Sequence, residues 1–547
     1  MQTASLESYA VIDIVQAMKP DEVFKAIELS INPWIDERLR TWSFPDDSER
    51  ARIAEAVTMT EKALEIISAS LHTTIPQDVL VLDNLELYRI VLERQLRGCK
   101  SLLAPIRLLP PDLLIEVFRL CEISTTLKLE CRRAWWGPPE SMSVVFESPG
   151  TALLPVCSLW SVLVSSTPSL WTRLSIEIDN HSATSLLSGD LISLQRLLAY
   201  VIERSGRVAL DLRIVLRQYW LLASTILKPL LAQVERWKHL DMILPPSYLG
   251  DVGLSCLQGS LTNLETLTLE VDDSTTRHIL SYAGEQSNWF SDAPRLRVFK
   301  QVTAPLGLFE VPWRQLQSLS LYSFYDDPDE NHVEVLASAT SLRSLRLGYP
   351  FSSMDSLEPR PLPNITFLQT SYHGDLEFLQ GCFTFPNLTE LVLGGDDIFV
   401  LFLSEVSPTL RRLVFDDSGQ QNSSFSITFF EIDACFPELT ELEIDRKECI
   451  GRIALATRLT TIRDRFPKLS HLTCRFEHVS RMEDLHKVFC AFIDSTPQGR
   501  IAIAIQLSIM SLISEIDLEI LQDMSSRGVL VTVSMTDSEP PDLVLEE

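Results

Sequence analysis

Apolar residues recur in the C-terminal half of the chain as Leu-x-x-Leu-x-Leu, with 20 to 32 residues from one copy to the next. The copies begin at Leu264, Leu296, Leu316, Leu342, Ile365, Leu388, Leu410, Leu439 and Leu469. Alternate side chains of a strand lie on one face, so positions 4 and 6, with position 1 in the preceding turn, predict a short strand with one buried side. One strand cannot bury that side alone, so we expect the copies to stack into a parallel sheet over a shared core.

The interval between copies is close to the length of a leucine-rich repeat, about 20–29 residues, and the longer intervals indicate loop insertions or returning helices. Two copies are weaker, because Gln301 and Thr370 stand where the third apolar residue is expected. The usual Asn or Cys after that residue is also missing. We therefore expect an irregular leucine-rich-repeat-like solenoid over residues 176–535.

The flanks of the repeat region have patterns of their own. Before it, a helical spacing over 191–202 and strict alternation over 208–215 predict a helix and then a strand. After it, 501–509, 516–524 and 529–533 predict a strand, a helix and a final strand. Residues 536–547 contain proline and several carboxylates, so we expect an acidic flexible tail.

Residues 46–104 have the spacing of two long helices separated at Pro76. Apolar residues recur every three, four or seven positions on both sides of this proline. The pattern is compatible with a helical hairpin or short coiled coil that could dimerise, and equally with two amphipathic helices packed on the next domain. Residues 1–45 form an N-terminal segment to which the sequence assigns no role.

Composition and charge exclude several classes of protein. The net charge is −27, so the chain as a whole repels nucleic acids and anionic lipids. Ten cysteines without any Cys-x-x-Cys pair argue against a disulfide scaffold and against a zinc site of that type. There is no run of about 18 apolar residues and no signal peptide, and we expect a soluble protein of the cytoplasm, the nucleus or both.

The sequence contains none of the common catalytic motifs. GxSxG, HExxH, Walker A and GxGxxG are absent, and the nine histidines have no metal-ligand spacing to the cysteines. The acidic run over 326–330 lacks the alternating spelling of a calcium loop. We expect no metal, no cofactor and no enzymatic activity; an enzyme with an unrecognised site is the alternative.

Residues 105–175 form a compact apolar region. Pro110 and Pro111 suit the first turn of a helix, and Asp112 is favourably placed at its positive end. The residues that follow cover a broad apolar face, and a second helical face comes after an insertion. Such small helices share a core too small to be stable alone, so we expect this region to rest on neighbours or on a partner.

This region resembles an F-box, whose pattern runs Leu-Pro-x-Glu-Leu-Leu-x-x-Ile-Phe, then Val-Cys-x-x-Trp, then Pro-x-Leu-Trp. The matching residues are Leu109, Pro110, Asp112, Leu113, Leu114, Val117, Phe118, Val156, Cys157, Trp160, Pro168, Leu170 and Trp171. The layout of the chain is similar to that of a large group of fungal F-box-like proteins. The 37 residues between Phe118 and Val156 are more than a compact F-box has there.

The resemblance implies a non-catalytic adaptor. F-box modules bind a Skp-type subunit, which bridges to a cullin–RING ubiquitin ligase, and the repeats would hold an unknown protein substrate. In this chain the residues implied in binding the Skp-type subunit are Leu109, Pro110, Leu113, Leu114, Val117, Phe118, Val156, Cys157, Trp160, Leu170 and Trp171. The alternatives are a ligase-independent leucine-rich-repeat scaffold with a degenerate F-box-like region, and a helical region that only caps the solenoid.

The expected fold class is α/β, with an N-terminal helical segment and a small helical F-box-like module followed by the irregular solenoid. Residues between the apolar positions of each strand would face solvent on the concave side of such a sheet. Six of them are basic: Arg297, Lys300, Arg343, Arg346, Arg411 and Arg412. In an acidic chain these predict a surface for an acidic or phosphorylated substrate segment, although a solvated polar sheet face also explains them.

Overall fold

The computed structural model of the chain describes most of the repeat strands and most of the helical region before them. The described residues are 37–39, 45–73, 79–121, 124–132, 141–178, 188–216, 227–245, 256–271, 288–303, 309–322, 330–348, 359–371, 373–394, 403, 405–416, 436–448, 466–478, 486, 502–509, 515–527 and 529–535. Most of the N-terminal segment and the whole acidic tail, 536–547, lie outside them, as does the run over 326–329.

The chain forms two compact units. The first comprises Met1–Ile176 with Leu186–Val208, and the second comprises Glu177–Ser185 with Ala209–Glu547. The fold is a mixed α/β structure with a large, mostly parallel sheet, as the repeat pattern predicts. In the described part of the chain, no helix is long and apolar enough to cross a membrane.

The first unit begins with the two predicted helices, α1 (Asp47–Thr73) and α2 (Val79–Leu103). They pack against each other. Ile53 of α1 meets Cys99 and Leu102 of α2 in a small buried cluster. Acidic residues in the first turn of α1 lie at the positive end of that helix and stabilise its start.

Four more helices and three strands complete the described elements around the F-box-like region. They are α3 (Pro111–Leu120), β1 (Thr125–Arg132), β2 (Ser141–Glu147), α4 (Pro149–Leu153), α5 (Ser158–Ser166), β3 (Arg173–Ile178) and α6 (Ser188–Arg204). Short 3-10 turns at Pro105–Leu108 and Pro168–Trp171 precede α3 and follow α5. β1 and β2 pair antiparallel, so the long insertion between Phe118 and Val156 contains a hairpin that the sequence analysis did not predict.

The second unit is built on a parallel sheet whose strands follow one another in chain order. Its strands are β4 (Leu210–Leu216), β5 (Trp237–Leu244), β6 (Thr266–Val271), β7 (Val298–Val302), β8 (Ser318–Tyr322), β9 (Ser344–Gly348), β11 (Phe367–Thr370), β13 (Glu390–Gly394), β14 (Arg412–Asp416), β15 (Glu441–Glu448), β16 (His471–His478), β17 (Ala502–Ile509) and β18 (Val529–Met535). The two-residue strands β10 (Arg360–Pro361) and β12 (Phe383–Thr384) pair separately. The helices α7 (Glu330–Ser338), α8 (His373–Cys382) and α9 (Glu515–Ser526) lie between strands in the chain.

The register aligns equivalent positions of neighbouring copies. Leu345 of β9, for example, pairs with Leu319 of β8 and with Leu368 of β11. Every residue at positions 1, 4 and 6 of the nine copies is buried, including the polar residues Gln301 and Thr370. The prediction of the inward positions is therefore confirmed, and the weak copy that begins at Ile365 still forms a strand of the sheet.

A further copy lies upstream of those that the leucine pattern identified. Trp237, Leu240 and Met242 are buried on β5, and Leu240 and Met242 pair with Leu267 and Leu269 of β6. The pattern was missed because a tryptophan occupies position 1 and a methionine position 6. The predicted strand over 208–215 is β4, next to β5 in the sheet.

Side chains in the turns reinforce the stacking. The residue before position 1 is asparagine in three copies, and its amide donates to a backbone carbonyl of the preceding copy. The bonds run from Asn263 to Glu235, from Asn364 to Thr340 and from Asn387 to Pro363, over 2.7, 2.7 and 2.8 Å. Each bond satisfies a turn carbonyl that the strand ladder does not reach, so asparagine at this position fixes the offset between neighbouring copies.

We predict that Leu345→Ala lowers the free energy of unfolding by about 2–5 kcal/mol, because it opens a cavity between two paired leucines. Chemical denaturation followed by far-UV circular dichroism measures the change. Ser344→Ala, one residue earlier on the outward side of the same strand, is the matched control and should change stability by less than about 0.5 kcal/mol. Equal losses in the two variants would contradict the assignment of faces.

Candidate partner-binding surface

Helix α3 places its apolar residues on two different sides. The pyrrolidine rings of Pro110 and Pro111 start the helix, and Asp112 lies in its first turn. Leu114 and Phe118, four residues apart, are buried. Leu113 is 52% exposed and Leu120, seven residues further on, is 80% exposed. The helix therefore contributes one apolar side to the core and leaves apolar residues in contact with solvent.

Helix α5 completes the core against α3. Phe118 meets the Trp160 ring edge to face, with 4.7 Å between the ring centroids. Cys157 caps the start of α5, since its sulfur accepts a hydrogen bond from the backbone N–H of Trp160 over 3.4 Å. Leu163 and Val164 of the same helix are buried. The Val-Cys-x-x-Trp pattern thus has a local structural reason, because the cysteine begins the helix and the tryptophan contacts α3.

Trp171 occupies the centre of this core and is fully buried. Its indole N–H donates to the carbonyl of Val164 over 2.8 Å. Its ring meets Tyr200 of α6 edge to face at 5.7 Å. On another side it lies against Gly150 of α4, where a Cβ atom would be 2.7 Å from the indole. The last tryptophan of the F-box-like pattern is therefore a core residue.

Among the exposed apolar residues of this unit, five lie on α3, on α5 or in the turns directly before these helices, and we call them the apolar helix surface. They are Leu108, Leu113, Leu120, Val156 and Val162, with exposed fractions of 57%, 52%, 80%, 53% and 62%. Single exposed apolar residues are ordinary on protein surfaces. These five are the exposed apolar residues that the helices of the F-box-like region and the turns before them contribute.

The eleven residues that the F-box resemblance implies in partner binding divide by burial. Leu113, Val156 and Pro110 are exposed, and Leu109, Val117 and Trp160 are half-buried. The remaining five form the core: Leu114, Phe118, Cys157, Leu170 and Trp171. Leu108, Leu120 and Val162 were missed by the sequence analysis. The seven-residue spacing from Leu113 to Leu120 could have identified one of them, because it places both on the same helix face.

Few charges accompany the apolar helix surface. Arg119 of α3 forms an ion pair with Glu116 and donates to the hydroxyl of Ser169 over 2.9 Å, which joins α3 to the turn after α5. Arg107, in the turn before α3, is buried, and burial lowers the pKa of its guanidinium from the ordinary value. In the described ranges, no group of three His, Cys, Asp or Glu side chains could hold a metal ion.

The six basic residues of the second unit do not form one continuous row. Arg297 and Lys300 belong to the copy that contains β7, and Arg343 and Arg346 to the copy that contains β9. Arg411 and Arg412 belong to the copy that contains β14. Strands β11 and β13 separate β9 from β14. At about 4.8 Å per strand, the separation between these two pairs is about 14 Å.

Arg412 is moreover surrounded by carboxylates. Its guanidinium lies 3.7 Å from Glu390, 3.5 Å from Glu441 and 3.1 Å from Glu443, on the strands on either side of β14. Glu443 also pairs with Arg475 over 2.8 Å. The positive charge of Arg412 is therefore compensated within the sheet, and its neighbour Arg411 is exposed.

We predict that Gly150→Ala destabilises the first unit by about 1–3 kcal/mol, because the added methyl group overlaps the buried Trp171 ring. Thermal unfolding followed by tryptophan fluorescence measures the loss. Ala152→Ser, at an exposed position of the same helix, is the control and should be nearly neutral. A neutral Gly150→Ala variant would contradict the close packing of Gly150 on Trp171.

Comparisons with known proteins do not assign this surface. No protein-family model matches the chain, and no curated protein matches it.

Proposed function

We propose that this protein is a non-catalytic adaptor, the substrate-recognition subunit of a Skp–cullin–F-box ubiquitin ligase. In this proposal the first unit holds the Skp-type subunit through its apolar helix surface. The second unit is an irregular leucine-rich-repeat solenoid that holds the protein to be ubiquitylated. The protein would act in the cytoplasm, the nucleus or both, without a metal or a cofactor.

The division of α3 into a buried and an exposed apolar side is the observation that carries the proposal. A helix that served only as a cap would need its buried side, which Leu114 and Phe118 supply. Leu113, at a motif position, instead presents about half of its side chain to solvent, and so does Val156. Full burial of an exposed leucine side chain contributes about 1.5–3 kcal/mol, so covering the exposed half of Leu113 would contribute about half of that and favour binding of a partner.

The buried motif residues also support the proposal, because they hold the exposed ones in place. Phe118, Trp160 and Trp171 join α3, α5 and α6 through ring contacts and one hydrogen bond. These contacts hold the exposed residues of α3 and of the turn before α5 on a packed base. A partner surface on a packed base loses little conformational freedom when it binds, which favours affinity.

The second unit supports the solenoid half of the proposal. Its strands follow the chain order, its neighbours are parallel, and positions 1, 4 and 6 are buried in every copy. These are the features expected of stacked repeats, in which each copy contacts its neighbours and extends one face. The outward side of the strands is then available for a second protein.

The position of the hairpin β1–β2 is the one observation that favours the alternative of a ligase-independent scaffold. It is inserted between the two parts of the F-box-like pattern, at Thr125–Arg132 and Ser141–Glu147. An insertion there could cover the surface that the Skp-type subunit needs. Binding of the purified subunit therefore separates the adaptor from the scaffold.

We predict that the full chain forms a stable complex with a purified Skp-type subunit, seen as a single peak on size-exclusion chromatography. The double variant Leu113→Asp/Val156→Asp should weaken this complex by at least about 100-fold, because it places two charges where apolar side chains are to be covered. Both residues are exposed, so their replacement should leave the unit folded. Leu114 is unsuitable for the test, since it is fully buried.

The matched control is Leu530→Asp, which changes an apolar residue of similar exposure, 68%, on β18 of the other unit. It should leave the complex intact. If the unsubstituted chain and the subunit elute apart at micromolar concentrations, the ligase proposal fails and the scaffold alternative is favoured.

A further inference from the structure

We infer that the outward face of strands β7, β8, β9 and β11 is a docking surface for an acidic peptide segment, built from two cations that lie on two aromatic rings. Its four residues are Lys300, Tyr322, Arg346 and Phe367, and we call them the basic-aromatic face. The inference rests on the proposed function, because it names the chemistry of the protein that the repeats would hold.

The register places the two cations at the same level of the sheet. Lys300 pairs with Ser320 of β8, and Ser320 pairs with Arg346 of β9. Both cations are exposed, whereas the small side chain between them is buried. Two strand spacings separate them, about 10 Å. Serine therefore leaves a shallow depression between two positive side chains.

An aromatic ring occupies the floor beside Lys300. The Lys300 ammonium lies 5.3 Å from the centre of the Tyr322 ring, within the range of a cation–π interaction. On the next strand a Cβ atom at Gly348 would overlap that ring. The tyrosine therefore lies across β9, and only glycine at this register position leaves room for it.

Arg346 repeats the arrangement one strand further on. Its guanidinium lies 5.2 Å from the centre of the Phe367 ring of β11. Both rings are half-buried, so each presents part of a flat apolar surface beside a cation. An aromatic ring, unlike a carboxylate, does not neutralise the positive charge of its cation, so the ring contacts leave both cations able to attract an anionic ligand.

The outward positions of these four strands contain no carboxylate. They are Val298, Lys300 and Val302 on β7, Ser318, Ser320 and Tyr322 on β8, Ser344, Arg346 and Gly348 on β9, and Phe367 and Gln369 on β11. Within the described residues, no carboxylate lies within 4.0 Å of Lys300 or Arg346. Asp241, two strands before Lys300 at the same level of the sheet, acts on the Lys300 charge over a longer distance. The positive charge of these four strands, in a chain of net charge −27, is the complementarity that points to an acidic partner.

Cations elsewhere on the same sheet are compensated. Arg213 lies 3.8 Å from Asp241 on the strands before β7, and Arg412 and Arg475 pair with glutamates on the strands after β11. Among the described residues, strands β7, β8, β9 and β11 thus lie between two regions of the sheet in which cations are paired with carboxylates. Of the six basic residues that the sequence suggested, the basic-aromatic face therefore includes Lys300 and Arg346 and leaves out Arg412.

The spacing indicates what kind of segment fits. An extended peptide advances about 3.3 Å per residue, so carboxylates three residues apart match cations about 10 Å apart. Apolar side chains between them would lie against the two rings. We therefore infer a segment with two Asp or Glu residues three positions apart and apolar residues nearby.

The test is fluorescence polarisation with the full chain and a fluorescein-labelled peptide that has two Glu three residues apart, flanked by Leu. A peptide with Gln at both positions is the ligand control. Lys300→Gln/Arg346→Gln should weaken binding of the Glu peptide about tenfold, as expected for the loss of two exposed charge contacts. Lys468→Gln/Arg475→Gln removes the same charge from positions paired with Glu438 and Glu443, and it should change binding less than about twofold.

Equal losses in the two double variants would overturn the inference, because they would show a general charge effect. It would also be overturned by equal binding of the Glu and Gln peptides, by loss in Arg411→Gln/Arg412→Gln instead, or by a single-stranded oligonucleotide that displaces the peptide at equal concentration. The assay contains no Skp-type subunit, so its failure and the failure of the ligase proposal are separate results.

Discussion

The sheet of the second unit depends on neighbouring copies, which pair their strands and pack their buried residues against each other. A strand of five residues such as β9 has unpaired backbone groups on both edges and two apolar residues, Leu345 and Leu347, on one side. Neither the backbone groups nor the leucines can be satisfied within one copy. Neighbouring copies supply the backbone partners and the apolar contacts together, because Leu345 is paired with a leucine of β8 on one side and a leucine of β11 on the other. The asparagine bonds in the turns add a fixed offset between copies. The inward positions are therefore buried in every described copy, even where the residue is the polar Gln301 or Thr370.

This constraint leaves the outward positions free to differ from strand to strand. The inward columns are nearly uniform, whereas the outward side changes from paired charges near Arg213, to cations on aromatic rings near Tyr322, to a cluster of glutamates and arginines near Arg412. The first unit shows the same division on a smaller scale. Leu114 and Phe118 are fixed by the core, and Leu113 and Leu120 remain outside it. In both units the residues that we propose to bind partners lie on elements that buried neighbours hold in place.

The sequence predicted the features that follow from the spacing of apolar residues, and it missed those that depend on residues distant in the chain. The two N-terminal helices, the repeat strands and their inward positions follow from spacing, and so does the start of α3 at its proline pair. The copy at Trp237 was missed because positions 1 and 6 are not leucine. The hairpin β1–β2 was missed because eight residues, 133–140, separate its strands, more than the two to five of a common hairpin loop. Which leucines of α3 are exposed depends on where α5 packs. The compensation of Arg412 depends on strands that lie up to 31 residues away in the chain.

Hydrogen–deuterium exchange of the full chain, with and without a purified Skp-type subunit, tests the central claim that the exposed apolar side of α3 is a partner surface. The account predicts slower exchange in peptides covering 105–120 and 156–166 when the subunit is present, with unchanged exchange in the strands of the parallel sheet. Those strands report on the other unit, so they are an internal reference in the same sample. Unchanged exchange over 105–120 in a mixture that is shown to form a complex, or protection confined to the sheet, would contradict the account.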